Sequence, residues 1–155
     1  MNIGDLLGAD RVQCTAEVSS KKRALEMLGE MLSTRLPKLT TGEIFDSLLA
    51  RERLGSTGLG HGVAIPHGRL EGADGACAAL LRLDRGVDYD APDSEPVDIL
   101  FALVVPSASS EEHLQILAVL ARMFSDPETL AQLRDAGSTR EILDLLGRWS
   151  TDDSG

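Results

Sequence analysis

Apolar and polar positions along this chain change their spacing several times, and each change marks an element. Ile3 to Leu7 suffices for one helical turn, and Val12 to Val18 has strand-like content. After Ser19 or Ser20, either of which can cap a helix, Leu25, Leu28, Leu32 and Leu36 recur at helical intervals, with Met27 and Met31 widening the stripe and Pro37 ending it. Thr40 with Glu43 makes a capping box that opens a second helix with Ile44, Phe45, Leu48 and Leu49 inward and Gly55 as its stop. Val63-Ala64-Ile65 reads as a short buried strand stopped by Pro66, and Ala76 to Leu83 as another, after which Gly86 turns the chain. A loop rich in Asp and Pro, Asp88 to Pro96, leads into Val97 to Val105, the clearest strand; its unbroken apolar character predicts burial on both faces.

Beyond Pro106 the spacing is helical to the end. Ser109 with Glu112 is a second capping box, before Leu114, Leu117, Ala121 and Phe124. Asp126-Pro127 starts a shorter helix carrying Leu130 and Leu133, with proline at its favoured first position. Ser138 with Glu141 is a third box, before Ile142, Leu145, Leu146 and Trp149. Helices flank the strands in sequence, which predicts an α/β (α+β) fold: a single-domain sandwich with a central mixed β-sheet flanked by helices. No repeat, low-complexity stretch or long linker divides the chain, so 1–150 reads as one domain and 151–155 as a frayed, disordered tail.

Composition narrows the function more than the fold. With aromatics at 3%, the core must be built from Leu, Ile, Val, Ala and Met. Lys and Arg number 15 against 25 Asp and Glu, a formal charge of -10, which repels nucleic-acid backbones and suits a partner with a basic face. The N-terminus lacks a basic stretch followed by an apolar run, and the longest apolar run, Ile99 to Val105, is far too short to span a membrane. A soluble cytoplasmic protein without membrane insertion is expected. Cys14 and Cys77 form no ligand spacing and read as buried free thiols.

Candidate chemistry gathers in Gly55 to Gly68, GSTGLGHGVAIPHG. Glycines at this density let a backbone take left-handed conformations, approach a ligand closely and turn N–H groups onto an anion; a plain surface loop is the alternative, against which the run feeds straight into apolar VAIP. No Lys follows to make GxxxxGK[ST], and Val63 stands where GxGxxG needs glycine, so a nucleotide loop is excluded. GSTGLG is not the hydrolase elbow around a serine, and His61 with His67 and His113 matches no metal-ligand spacing. His67, pinned by Pro66 and freed by Gly68, sits at a strand terminus where an imidazole serves as a nucleophile of near-neutral pKa; taken alone it could equally be hydrogen-bonded into a loop. His113, near the start of its helix, should tend to be neutral unless a phosphate lies close, or is a solvated helix residue. Arg51, with Arg53 in the last turn before Gly55, either balances the helix dipole or aims a guanidinium fork at phosphate oxygens.

The segment GHGVAIPHG resembles the phosphorylation-site signature of the enzyme IIA proteins of the fructose–mannitol class, components of the bacterial phosphoenolpyruvate-dependent phosphotransferase system. SKKRALE (Ser20 to Glu26), ARERLGSTG and PVDILFALVVP resemble its nitrogen-regulatory branch in the same order, so the similarity spans about Ile3 to Trp149. No position of the motif departs from the pattern. The resemblance implies an EIIA type-2 domain, a mixed sheet flanked by helices, and a phosphoryl group taken onto His67 from an HPr-type phosphohistidine carrier, with neither metal nor cofactor. Arg51 and His113 match the family's phosphate-site Arg and second His, and Ser56 and Thr57, with Gly58 and Gly60, match the loop beside them. It further implies a regulator whose phosphorylation state acts on protein targets. A sugar-transport IIA passing phosphate to a separate IIB, and a binding module acting when unphosphorylated, remain open; stand-alone length and SKKRALE favour the regulator.

Overall fold

The structure, a computed structural model, describes residues 2–108 and 110–151. Two short 3-10 turns, Ile3–Leu6 and Ala9–Arg11, lead into β1 (Val12–Ala16). Then follow α1 (Lys21–Ser33), α2 (Thr41–Arg53), β2 (Gly58–Gly60), β3 (Val63–Ala64), β4 (His67–Leu70), β5 (Cys77–Val87) and β6 (Val97–Pro106). Three helices close the chain: α3 (Ser110–Met123), α4 (Pro127–Asp135) and α5 (Thr139–Leu146). The strands form one mixed sheet in the order β1-β5-β6-β3-β2, with β4 also on β6.

Strand β6 is the spine. Its residues alternate between two cores. Ile99, Phe101, Leu103 and Val105 pack with α3, α4 and α5 residues such as Ile116, Leu120, Leu130 and Ile142. Leu100, Ala102 and Val104 pack with α1 and α2 through Leu25, Leu28, Ile44 and Leu48. The expected α/β sandwich is therefore present. Among the described residues no helix is long and apolar enough to cross a membrane.

Several elements differ from the sequence expectation, each for a physical reason. The first helix stops at Ser33, and Leu36 is buried from the turn that follows. Gly86 does not turn the chain but lies inside β5; a Cβ there would collide with Pro96, so glycine serves close approach. Pro66 interrupts the edge strand without ending it. Ala64 pairs with Leu100 and His67 with Leu103, the same offset on both sides of the proline, and the Pro66 carbonyl still accepts from Leu103 N–H at 3.0 Å. His67 thus begins β4 rather than closing the strand before it.

In α3 the buried stripe is Ile116, Val119, Leu120 and Met123, while Leu114 is exposed and Leu117 half-buried. The Ser109 half of the second capping box lies outside the described residues, as does the tail from 152 on. Ser138 caps α5 through Glu141 N–H, but Glu141 reaches back to Gly137 N–H instead of the cap residue. The Thr40–Glu43 box closes in both directions. Because it anchors the helix that carries Arg51, Thr40→Ala should cost about 1 kcal/mol. Thermal melts should then fall by about 2–4 °C, with the fold otherwise kept.

Candidate functional site

β4 leaves an open sheet edge between α2 and α3, where a cleft of about 590 Å³ is lined by Ser47, Arg51, Leu54, His67, His113 and Leu114, among others. The helix α2 lies close over β4 because residue 68 has no side chain; a Cβ there would run into the Ser47 hydroxyl. The register turns His67, like its partner Leu103, toward the α3 side of the sheet.

His67 is almost wholly buried, at 9% exposure. Its Nδ1 lies 2.8 Å from the Ile65 carbonyl oxygen. A carbonyl can only accept, so Nδ1 carries the proton and donates it, which leaves Nε2 with the free lone pair. Burial draws the His67 pKa below the ordinary imidazole value; the Ile65 hydrogen bond opposes this, Arg51 adds to it, and Glu52 opposes it. The ring is therefore unprotonated at Nε2 at neutral pH.

His113 meets His67 edge-on, with ring centroids 5.2 Å apart. Burial pushes its pKa down to about 4, helped by His67 and Arg69. Its Nε2 is buried with no hydrogen-bond partner among the described residues. An orphaned polar atom of this kind is costly, and a phosphoryl oxygen in the cleft would relieve it.

Arg51 donates from Nη1 to the Gly55 carbonyl at 2.9 Å, just past the end of α2, and it lines the cleft. The structure thus brings together Arg51, His67 and His113.

Ser56, Thr57, Gly58 and Gly60 are not in the cleft wall. Ser56 Oγ donates to the Tyr89 carbonyl and accepts from Gly58 N–H. Thr57 turns inward, its N–H and hydroxyl both given to the buried Glu52 carboxylate. Gly58 packs on Ala91, and Gly60 lies by Asp93. Gly62, at φ +82°, is needed because a Cβ would strike the Arg134 guanidinium and Asp98. His61 stands apart from the cleft, its N–H donating to Asp93 and its carbonyl accepting from Arg134. The amides of Thr57, Gly58 and His61 are thus already engaged, and the glycine run works as a folded brace under the site.

The rim and the brace are built from residues that no motif in the sequence marks. Leu54 at 85% and Leu114 at 68% are the most exposed large apolar side chains among the described residues, and both border the cleft. Leu114 belongs to the stripe assigned inward and instead lies exposed beside the cleft. Lys21, Glu52 and Tyr89, which hold the brace, look in sequence like ordinary helix and loop residues.

A family model described as "Phosphoenolpyruvate-dependent sugar phosphotransferase system, EIIA 2" matches residues 5–149. The nitrogen regulatory protein of Pseudomonas aeruginosa is 44% identical over 127 residues, 82% of this chain and 82% of the relative. That of Escherichia coli K12 is 35% identical over 147 residues, covering 94% of this chain and 90% of the relative. The crystal structure of the nitrogen regulatory protein IIA-Ntr from Neisseria meningitidis matches with a TM-score of 0.90 at 42% identity, covering 93% of this chain and 98% of that one. The Escherichia coli IIA mannitol structure shares the fold, with a TM-score of 0.74 at 23% identity over 90% of this chain and 97% of that one.

Proposed function

Since the chain belongs to the EIIA 2 family of the phosphoenolpyruvate-dependent sugar phosphotransferase system, in its nitrogen-regulatory branch, we propose that it accepts a phosphoryl group on Nε2 of His67 from an HPr-type phosphohistidine carrier and signals through that state. The observation that carries this is the Nδ1 hydrogen bond to Ile65, which leaves Nε2 unprotonated on a ring that meets the ring of His113, whose own Nε2 is unpartnered, edge-on.

The chemistry follows from the residues. The Nε2 lone pair attacks phosphorus in line, the donor's N–P bond breaks, and its electron pair returns to the donor imidazole, which takes up a proton from solvent. The His67 proton stays on Nδ1, shared with Ile65. Arg51 and His113 flank the equatorial oxygens, where charge gathers. The phosphohistidine donor is already activated, so no metal or nucleotide is required. Ser56, Thr57, Gly58 and Gly60 serve by holding the loop in place. The reaction belongs in the cytoplasm, where the carriers are.

The direct test is incubation with phosphoenolpyruvate and the general phosphoryl donors, read by intact mass. Arg51→Lys keeps the charge but loses the two-pronged fork and should slow transfer roughly tenfold with little change in melting temperature. A wild-type rate would return Arg51 to its helix-end role alone.

The rim supports the signalling half. The exposed Leu54 and Leu114 give a protein partner an apolar landing around the cleft. A partner that covers the cleft would desolvate a phosphoryl dianion, so at least one target should prefer the unphosphorylated protein and compete with the donor. Pull-downs with wild type, His67→Ala, His67→Asp and phosphorylated protein test this. Equal binding to all four would leave relay to a separate IIB as the better account.

A further inference from the structure

We propose that Glu52 is a positioning residue for the reaction at His67: its buried carboxylate, paired with Lys21, holds Thr57, and Thr57 holds the Ile65 carbonyl that keeps the His67 proton on Nδ1. The inference rests on His67 being the phosphoryl acceptor.

The relay is continuous on the page. Lys21 Nζ lies 3.0 Å from Glu52 Oε1. Thr57 N–H donates to the same oxygen at 3.1 Å, and the Thr57 hydroxyl donates to Oε2. The Thr57 carbonyl accepts from Ile65 N–H at 3.1 Å. The Ile65 carbonyl accepts from His67 Nδ1 at 2.8 Å. Tyr89 closes the network: its ring lies under the Lys21 ammonium at 4.3 Å, its hydroxyl stands 3.3 Å from Thr57 Oγ1, and its carbonyl accepts from both Lys21 and Ser56.

A buried ion pair is weak evidence for a stability role, because well-packed apolar side chains of the same volume usually do as well. What it supplies here is geometry. Ile65 lies between Ala64, which pairs with β6, and Pro66, which has no N–H to offer. Its N–H bond to Thr57 therefore anchors this residue, and its carbonyl, in the next peptide unit, is held through that anchor. If that carbonyl drifts, the proton on Nδ1 loses its acceptor and can move to Nε2, where it blocks the nucleophile; a wrong tautomer in otherwise intact geometry is known to be costly to catalysis. The charged groups around His67 are Arg51 and Glu52 from α2 and Arg69 in β4 itself, while the neutral His113 ring meets it from α3. Among these Glu52 alone is negative, and it offsets the pull of Arg51 on the ring.

The test uses the whole chain and phosphoramidate, a small donor that needs no docking surface. In the wild type, imidazole nitrogen NMR should find His67 protonated at Nδ1. In Glu52→Gln the share protonated at Nε2 should rise, and the phosphoramidate rate should fall about tenfold, as for other residues that orient a reactive group from behind. The KM for a phosphorylated carrier should hold, since Leu54 and Leu114 are untouched. Glu52→Gln leaves Lys21 without its partner and can fail to fold. The double variant Lys21→Met with Glu52→Gln removes both charges and should show the same tautomer shift and slowing. A folded variant of either kind with His67 still protonated at Nδ1 and a phosphoramidate rate within about twofold of wild type overturns the proposal. The tautomer is read on unmodified protein, so a wild type that takes no phosphoryl group from a carrier overturns the transfer reading alone.

Discussion

His67→Ala should take up no phosphoryl group from a phosphorylated carrier, with labelling below detection. The other two histidines offer no substitute. His113 has its Nε2 buried, and its pKa is pushed down to about 4, so its ring is a weak base. His61 stands outside the cleft, on a loop fixed by Asp93 and Arg134. Only His67 combines a fixed tautomer with a place in the cleft. The wild-type adduct should be acid-labile and alkali-stable, as a phosphoramidate is, and intact mass before and after acid treatment checks both points. A His67→Ala protein that labels at the wild-type level would move the chemistry elsewhere. Circular dichroism of the variant should match wild type, because the strand that carries residue 67 is held by backbone pairing to β6 rather than by the ring.

Much of this site could be read from local sequence, because local chemistry specifies it. The Thr40–Glu43 box fixes where α2 begins and hence where Arg51 falls, and the apolar run of β6 announces a strand buried on both faces. What escaped depends on contacts remote in sequence. α3 carries two apolar stripes, and the sheet chose Ile116, Val119, Leu120 and Met123; Leu114 and Leu117 were left to line the cleft. Periodicity alone cannot rank two such stripes. β4 was hidden because proline reads as a stop, whereas a parallel edge strand tolerates a residue that has lost only its donor. The glycine run suggested an open anion cradle; its amides instead meet Glu52, Ser56 and Asp93, partners that no short motif contains.

His113→Ala should slow phosphoryl transfer about a hundredfold, the usual cost of removing one group aimed at developing charge, and should leave His67 modifiable. The same ring should also report the switch. In the free protein, burial, His67 and Arg69 hold its pKa near 4, well below the value of 6.5 for an unperturbed imidazole. Between those two values the unfolded chain binds the proton and the folded one does not. His113 therefore contributes stability above pH 6.5 that is lost as pH falls toward 4. Thermal melts across that window should drop less steeply for His113→Ala than for wild type. Phosphorylation reverses the local field. A phosphoryl group of roughly −1.5 to −2 charges on a ring whose centroid lies 5.2 Å from that of His113 favours the imidazolium, so the His113 pKa should rise. The orphaned Nε2 then becomes a charged donor to a phosphoryl oxygen. Imidazole NMR titration of the two states measures this directly. A His113 pKa that stays near 4 after His67 is phosphorylated would mean that its Nε2 never meets the phosphoryl group, and the hundredfold loss should then be absent as well.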